Sequence, residues 1–336
     1  MMQEAPVVIF GAGLAGLFAA KRLQENGISY KLIEKGRSVG GRMATRRIDN
    51  GRADHGAQFF TARSHEMKTL IEKWSNVGLI SEWTRGFHQM NNEGQVILQT
   101  DGYPRYIATN GMNALTKMLA QPENLILNHR ISSLNYQDKA WEITIYDEKN
   151  QTTTLQRAKG VISTIPVPQV LNWLRLDGIE SDIKAELASI DYEPCICLMI
   201  SLPGRSLVPK EGGIQGEGDI AFIGDNQQKG ISTKPILTVH ASGKWSEAHY
   251  EESDEDVIAL LLPKVKPFIE DGKMEGIQVK RWRYAKPKTL YPDRMVATTY
   301  PSPVVFAGDC FKDGKVEGAI LSGMSAGDWM SKQIRK

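Results

Sequence analysis

The chain has 336 residues, of which 41% are hydrophobic and 24% charged, and a formal net charge of only +2. That length accommodates two domains or one elaborate one, and the composition is that of a soluble globular protein. The near balance of charge gives no electrostatic basis for binding nucleic acid or an anionic membrane. Three cysteines, Cys195, Cys197 and Cys310, do not make a disulfide framework, and no histidines follow at zinc-ligand spacing. No metal site is expected, and a reducing cytoplasm fits.

In chain order, residues 6–10 are a short apolar run, and Gly11-Ala12-Gly13-Leu14-Ala15-Gly16 follows at once. An amphipathic stretch over residues 17–26 closes at Gly27, and residues 30–33 read as a second strand ending in Glu34. Strand, glycine turn, helix, strand and acid make the dinucleotide-binding pattern in the context it needs. Gly11 permits the tight turn, Gly13 lets backbone approach a pyrophosphate, and Gly16 lets the helix pack on the sheet. A pyrophosphate there faces unpaired N–H groups at the positive end of a helix. Glu34 can accept both hydroxyls of an adenosine ribose, and its charge repels a 2′-phosphate. Residues 1–4 carry no basic segment, so the apolar residues 5–20 are assigned to this unit and not to a leader. No uncharged run reaches the ~18 residues needed to span a bilayer.

A second glycine-rich loop follows over residues 35–43. Gly40 and Gly41 allow close backbone approach, and Arg42 can reach a phosphate or a ribityl chain, which suits a cofactor longer than a nicotinamide nucleotide. Gly56-Ala57-Gln58-Phe59 suggests backbone running beside a flat ring. Residues 64–79 carry a helical pattern stopped by Gly78, residues 80–106 are strand-like, and a helix is expected to end at Leu119. A hairpin is expected over residues 141–155, and a buried strand over 161–165 ends at Pro166, which cannot continue a ladder. Strands are expected at 195–202, 236–242 and 276–283, and a helix at 253–264 with Ser253 as its N-cap. Near the end, a strand runs into Gly308-Asp309, a turn that can aim a carboxylate at a polyol or diphosphate. Residues 314–319 then open a helix with small residues at Ser322, Gly323, Ser325 and Ala326.

The glycine turn with Glu34, the Gly40-Gly41-Arg42 loop and the Asp54-x-Gly56-Ala57-Gln58-Phe59 segment together resemble the flavin-containing amine oxidase superfamily, and within it the renalase-like branch. So do Gly111-Met112-Asn113, the V-I-x-T-x-P-x-x-Q pattern at 161–169, Arg281-Trp282-x-x-Ala285 and the G-K-V-E-G-A-x-x-S-G pattern from Gly314. The resemblance covers nearly the whole chain. It implies an α/β fold: a Rossmann-like FAD/NAD(P)-binding domain of the p-hydroxybenzoate hydroxylase and amine oxidase type, with an inserted α+β substrate domain. The FAD-binding segments are expected at 1–63, 104–168 and 284–336, and the substrate domain at 64–103 and 169–283.

The same resemblance implies non-covalent FAD, since Cys310 is misplaced for the covalent tether of the monoamine oxidases. Its expected contacts are Gly11, Ala12, Gly13, Leu14, Ala15, Gly16, Glu34, Lys35, Gly40, Gly41, Arg42, Met43, Gly56, Ala57, Gln58, Phe59, Ile131, Thr164, Pro166, Trp282, Gly308, Asp309, Val316, Glu317, Gly318 and Ala319. In renalase-like proteins a histidine near the strand matching residues 237–242 approaches the site, which makes His240 the catalytic candidate; an apolar strand histidine is more often a satisfied polar group. The implied activity is oxidation of 2- or 6-dihydro isomers of NAD(P)H, with hydride passing to flavin N5 and electrons to O2. The alternatives are oxidation of a small amine, a reductase or desaturase acting on an apolar substrate, or an FAD-binding redox sensor without turnover. The expected partners are a small-molecule substrate and O2, with no nucleic acid and no membrane, in a monomer or weak dimer.

Overall fold

The structure is a computed structural model that describes residues 3–173, 179 and 181–336. Met1 and Met2, part of the segment weighed as a leader, lie outside the described residues, as do 174–178 and 180 of the expected substrate domain. The fold is α/β, and the chain divides into two compact units.

The first unit comprises residues 1–41, 116–191 and 287–336. Its centre is the strand Gln3–Phe10, whose Val7, Val8 and Ile9 are fully buried. Being covered on both faces, this strand is uniformly apolar instead of alternating. It pairs in parallel with Tyr30–Ile33 on one side and with Thr152–Ser163 on the other, and the latter pairs in parallel with Val304–Phe306. Parallel neighbours require crossovers, and the helix Leu14–Glu25 supplies the first. The antiparallel strands His129–Gln137 and Ala140–Asp147 extend the sheet to eight strands. The C-terminal helix, Lys315–Ile334, packs along the first helix. Its small residues make that possible, since a Cβ on Gly323 would lie 2.2 Å from the Ala15 carbonyl oxygen, and one on Gly327 would lie 2.6 Å from that of Ala19.

The second unit comprises residues 42–115 and 192–286. It is built on a seven-stranded sheet whose centre is Tyr192–Ser201, Ile236–Ala241 and Ile220–Asp225. Ile196, Leu198, Ile200, Leu237 and Val239 pack with Val257, Leu261 and Val265 of the helix Asp254–Val265. The Ser253 hydroxyl caps that helix by accepting from the Asp256 N–H, and three acids in its first turn favour the positive helix end.

These units divide the chain at different points from the expected segments. The hairpin Thr45–Ile48 and Gly51–Asp54 belongs to the second unit because Ile48 and Ala53 are buried against Cys197, Met199 and Ile236. Residues 104–115 join it there, as the strand Val96–Ala108 pairs with Ile80–Met90. Conversely, residues 169–191 belong to the first unit, where the helix Ser181–Ala188 packs on Val167–Trp173. Among the described residues, no helix is long and apolar enough to cross a membrane, and no group of three or more His, Cys, Asp or Glu could hold a metal ion.

Candidate active site

The glycine turn of the first unit is stitched from beneath. Gly11 takes φ +94°, in the region that favours glycine, and its N–H donates to the Ile33 carbonyl at 2.8 Å. The Thr164 hydroxyl donates to the carbonyls of Phe10 at 2.8 Å and Gly11 at 3.1 Å. A Cβ on Gly16 would lie 1.9 Å from the Gly11 carbonyl oxygen, so Gly16 closes the helix onto the turn. A Cβ on Gly13 would meet nothing within 4 Å. Gly13 therefore faces open space, while Gly11 and Gly16 serve the turn itself.

Glu34 has a second role beyond the expected ribose contact. Its carboxylate accepts from the N–H of Ala12 at 2.8 Å and from that of Gly36 at 2.7 Å, one on each oxygen. Each oxygen keeps lone-pair capacity for a further donor. The Gly40 N–H donates to the Ala12 carbonyl at 2.9 Å, which draws the second glycine loop beside the first. His129 N–H donates to the Glu34 carbonyl at 3.0 Å, and Ile131, 3% exposed, follows at a bulge two residues on. Lys35 reaches Gln169 at 3.4 Å, and Pro166 is half-buried. Beneath the C-terminal helix, Gly308 takes φ +154° and its N–H donates to the Ser322 hydroxyl at 2.8 Å. Asp309 and Glu317 are each 9% exposed, Val316 and Gly318 are buried, and Gly314 at φ +67° turns the chain into the helix. The helix start and the Gly308 turn, where a Cβ would meet nothing within 4 Å, suit an anionic or polyol group.

In the second unit the segment from Asp54 to Phe59 is the best-braced loop. Asp54 is fully buried, and its carboxylate takes Lys229 Nζ at 2.7 Å, the Met112 N–H at 2.9 Å and the Thr45 hydroxyl. Its backbone is tied to Asn226 Oδ1 at 3.1 Å and to the Thr238 hydroxyl at 2.8 Å. Burial pulls the Lys229 ammonium below its ordinary pKa, and Asp54 opposes that shift. Gly56 has a structural reason to be glycine, since a Cβ would lie 2.0 Å from the Arg42 carbonyl oxygen. The Ala57 N–H donates to that same carbonyl at 2.8 Å. Arg42 Nη1 donates to the Tyr284 carbonyl at 3.2 Å, and the guanidinium lies 5.7 Å from the Tyr192 ring centroid. Met43 is buried.

Gln58 has a determined orientation. Its Nε2 donates to the carbonyls of Asp54 at 2.7 Å and Gly56 at 3.1 Å, which fixes the amide and leaves Oε1 buried with no hydrogen-bond partner among the described residues. Phe59 belongs to an aromatic cluster with Trp83, Phe87 and Phe222, at centroid separations of 5.2 to 6.4 Å. His55 stacks on Trp282 at 5.3 Å, and its carbonyl accepts from Trp282 Nε1 at 2.8 Å. His240 Nε2 lies 3.3 Å from the same carbonyl. Burial pushes His55 and His240 each down to about 4, so both are neutral at neutral pH. Asp54, His55, Lys229, Arg105 and the partners of Phe59 were not among the expected site residues, because they meet only through tertiary pairing.

The two histidines set a pH dependence. Each binds protons less readily folded than unfolded, so their stabilising effect is complete above about pH 6.5 and is lost as pH falls toward 4. For the 7%-exposed His55 the loss amounts to about 3 kcal/mol. Chemical denaturation at pH 7 and pH 4.5 should show it, and His55→Phe should reduce the dependence while leaving the contribution of His240.

A family model described as flavin containing amine oxidoreductase matches residues 79–328, and one described as an NAD(P)-binding Rossmann-like domain matches residues 9–74. Among solved structures, wild-type putrescine oxidase bound to putrescine is similar at 15% identity and a TM-score of 0.74, over 97% of this chain and 99% of that one. Cyclohexylamine oxidase from Brevibacterium oxydans IH-35A is similar at 14% identity and a TM-score of 0.77, over 99% of this chain and 100% of that one. At these identities the likeness is one of fold.

Proposed function

The chain belongs to the flavin-containing amine oxidoreductases, a family of FAD-dependent enzymes, and from that premise we propose that it is renalase-like: it oxidises 2- or 6-dihydro isomers of NAD(P)H by hydride transfer to flavin N5, with O2 as the final acceptor. The residues present fit FAD. Gly13 and Gly308 face open space where a Cβ would meet nothing, and Gln58 keeps a buried acceptor without a donor. In this reading the turn Gly11 to Gly16 with Glu34 holds the adenosine diphosphate end, and Ile131 lies by the adenine. In the first unit the Gly40-Gly41 and Gly308-Asp309 turns hold the chain between nucleotide and ring, and the start of the C-terminal helix serves the ring; in the second unit Arg42, the residues from Gly56 to Phe59 and Trp282 are the candidates for cofactor contact. Bound FAD supplies a two-electron acceptor. In this reading binding is non-covalent: Cys310 is 1% exposed, and burial pushes the Cys195 thiol up to about 12 and holds that of Cys197 well above the ordinary thiol value, so neither of these two offers a thiolate.

The observation that carries the choice of substrate is the neutral pair His55 and His240. An amine reaches the enzyme as an ammonium and must lose a proton before it can be oxidised. A histidine held near 4 is a poor acceptor for that proton. A dihydropyridine gives up hydride and becomes an aromatic pyridinium without losing a proton, so it asks the protein mainly for positioning. His240 then orients the His55 carbonyl, and with it Trp282. The aromatic cluster favours a second reading, a small amine clasped by its alkyl part. The pH dependence of flavin reduction separates them. Reduction by 6-dihydro-NAD should be level from about pH 5.5 to 8.5, whereas reduction by an amine should rise about tenfold per pH unit as the free base is populated. A steep rise with the dihydropyridine would contradict the proposal.

A further inference from the structure

Arg105 lies on the strand Val96–Ala108 with its side chain only 9% exposed. The guanidinium sits 5.1 Å from the Phe87 ring centroid and 5.8 Å from that of Phe59. One of its two forks is taken: Nη1 and Nη2 donate to the two carboxylate oxygens of Asp101 at 2.9 and 3.0 Å, and Nη1 also donates to the Tyr103 carbonyl at 3.0 Å. The other fork, formed by Nε–H and the second N–H of Nη2, is different. Nε is buried and has no hydrogen-bond partner among the described residues, and Nη2 gives one of its two hydrogens to Asp101. A buried donor without an acceptor is costly, and a guanidinium edge with two parallel N–H groups matches one chemical partner best, a planar pair of oxygens.

We propose that this open edge of Arg105 is a binding site for a carboxylate carried on a flat aromatic ring. The surroundings select the ring. Phe59 and Phe87 lie against the guanidinium, Trp83 and Phe222 pack edge to face on Phe87, and a Cβ on Gly213 would press on Phe87 at 2.5 Å, so the wall is aromatic and closely packed. A flat ring can extend such a cluster by the same edge-to-face contacts. A phosphate, doubly charged and heavily hydrated, would lose far more solvation in a site this enclosed. Asp101 is half-exposed and held below the usual carboxylate range by Arg105, so it neutralises the resident charge while leaving the inner edge for the ligand. The proposal goes beyond the dihydropyridine reading and does not depend on turnover.

Binding to the FAD-loaded full chain, followed by calorimetry, tests it. Benzoate and nicotinate should bind saturably, with benzamide and nicotinamide weaker by about tenfold or more, since the neutral amides cannot form the charge-assisted pair. Arg105→Lys keeps the charge but loses the fork and should weaken benzoate by about tenfold or more, while Asp101→Asn should leave it within about threefold. Benzamide binding as tightly as benzoate to the wild-type chain overturns the proposal without recourse to any variant. So does an unchanged benzoate affinity in Arg105→Lys, or no saturable binding of benzoate. Inorganic pyrophosphate binding in preference to benzoate, and lost in Arg105→Lys, would mean that the edge reads a phosphate, and the aromatic carboxylate assignment would fall.

Discussion

Gly13→Val is expected to give a folded chain that purifies without FAD. The backbone at Gly13 has φ −76° and ψ −179°, an extended conformation open to any residue, and a Cβ there would touch nothing within 4 Å. The substitution therefore adds no strain to the chain itself, and its branched side chain enters the space where the backbone must approach the pyrophosphate. Loss of affinity should exceed about a hundredfold, close to 3 kcal/mol. Flavin absorbance per chain, measured with the circular dichroism of the same sample, reads both halves of the expectation. Gly16→Ala is the contrast: its Cβ would fall 1.9 Å from the Gly11 carbonyl oxygen, so the turn itself must break and folded yield should drop. A Gly13→Val protein that retains its flavin would displace the pyrophosphate from this turn.

Lys229→Met should be the most destabilising single change in the second unit. Lys229 and Asp54 are 1% and 0% exposed, and the ammonium also lies 5.2 Å from the Trp83 ring centroid. Removing the cation leaves a buried carboxylate with only the Met112 N–H and the Thr45 hydroxyl to hold its charge. Breaking a buried pair in this way costs about 3–5 kcal/mol, which in a unit of this size lowers Tm by about 10 °C. The double variant Lys229→Met with Asp54→Asn should recover part of the loss, because the charge left unpaired is removed with its partner. Thermal unfolding of the three proteins checks this, and equal Tm values for wild type and Lys229→Met would show the pair to be energetically idle.

What could be read from the sequence was local. The first strand, the glycine turn, the first helix and Glu34 lie within a few dozen residues, so spacing alone identifies them. The helix at Asp254–Val265 announced itself through Ser253 and the acids that follow. Pattern could not supply the reasons behind individual residues. Gly56 reads as backbone beside a flat ring, and the crossing of Arg42 is a second reason for glycine that pattern does not show. Thr164, expected near the cofactor, also ties the end of the first strand to the glycine turn through its hydroxyl, a role no local pattern announces. Lys229 and Asp54 are 175 residues apart, and neither has a neighbour in sequence that marks it as buried. Arg105, between Pro104 and Tyr106, likewise reads as an exposed strand residue until the rings of Phe59 and Phe87 close over it. The hairpin after the second glycine loop looks continuous with the nucleotide-binding segment in sequence, and the burial of Ile48 and Ala53 against Cys197, Met199 and Ile236 groups it with the second unit.

The proposed reaction is tested most directly by anaerobic mixing of the purified flavoprotein with one equivalent of 6-dihydro-NAD, 2-dihydro-NAD or putrescine, following flavin absorbance. If the chain acts on misreduced nicotinamide nucleotides, a dihydro isomer bleaches the flavin in a single turnover, NAD+ is recovered in equal amount, and admitting air restores the colour with formation of hydrogen peroxide. Bleaching by putrescine with no response to either dihydro isomer would contradict the proposal and assign the chain to amine oxidation.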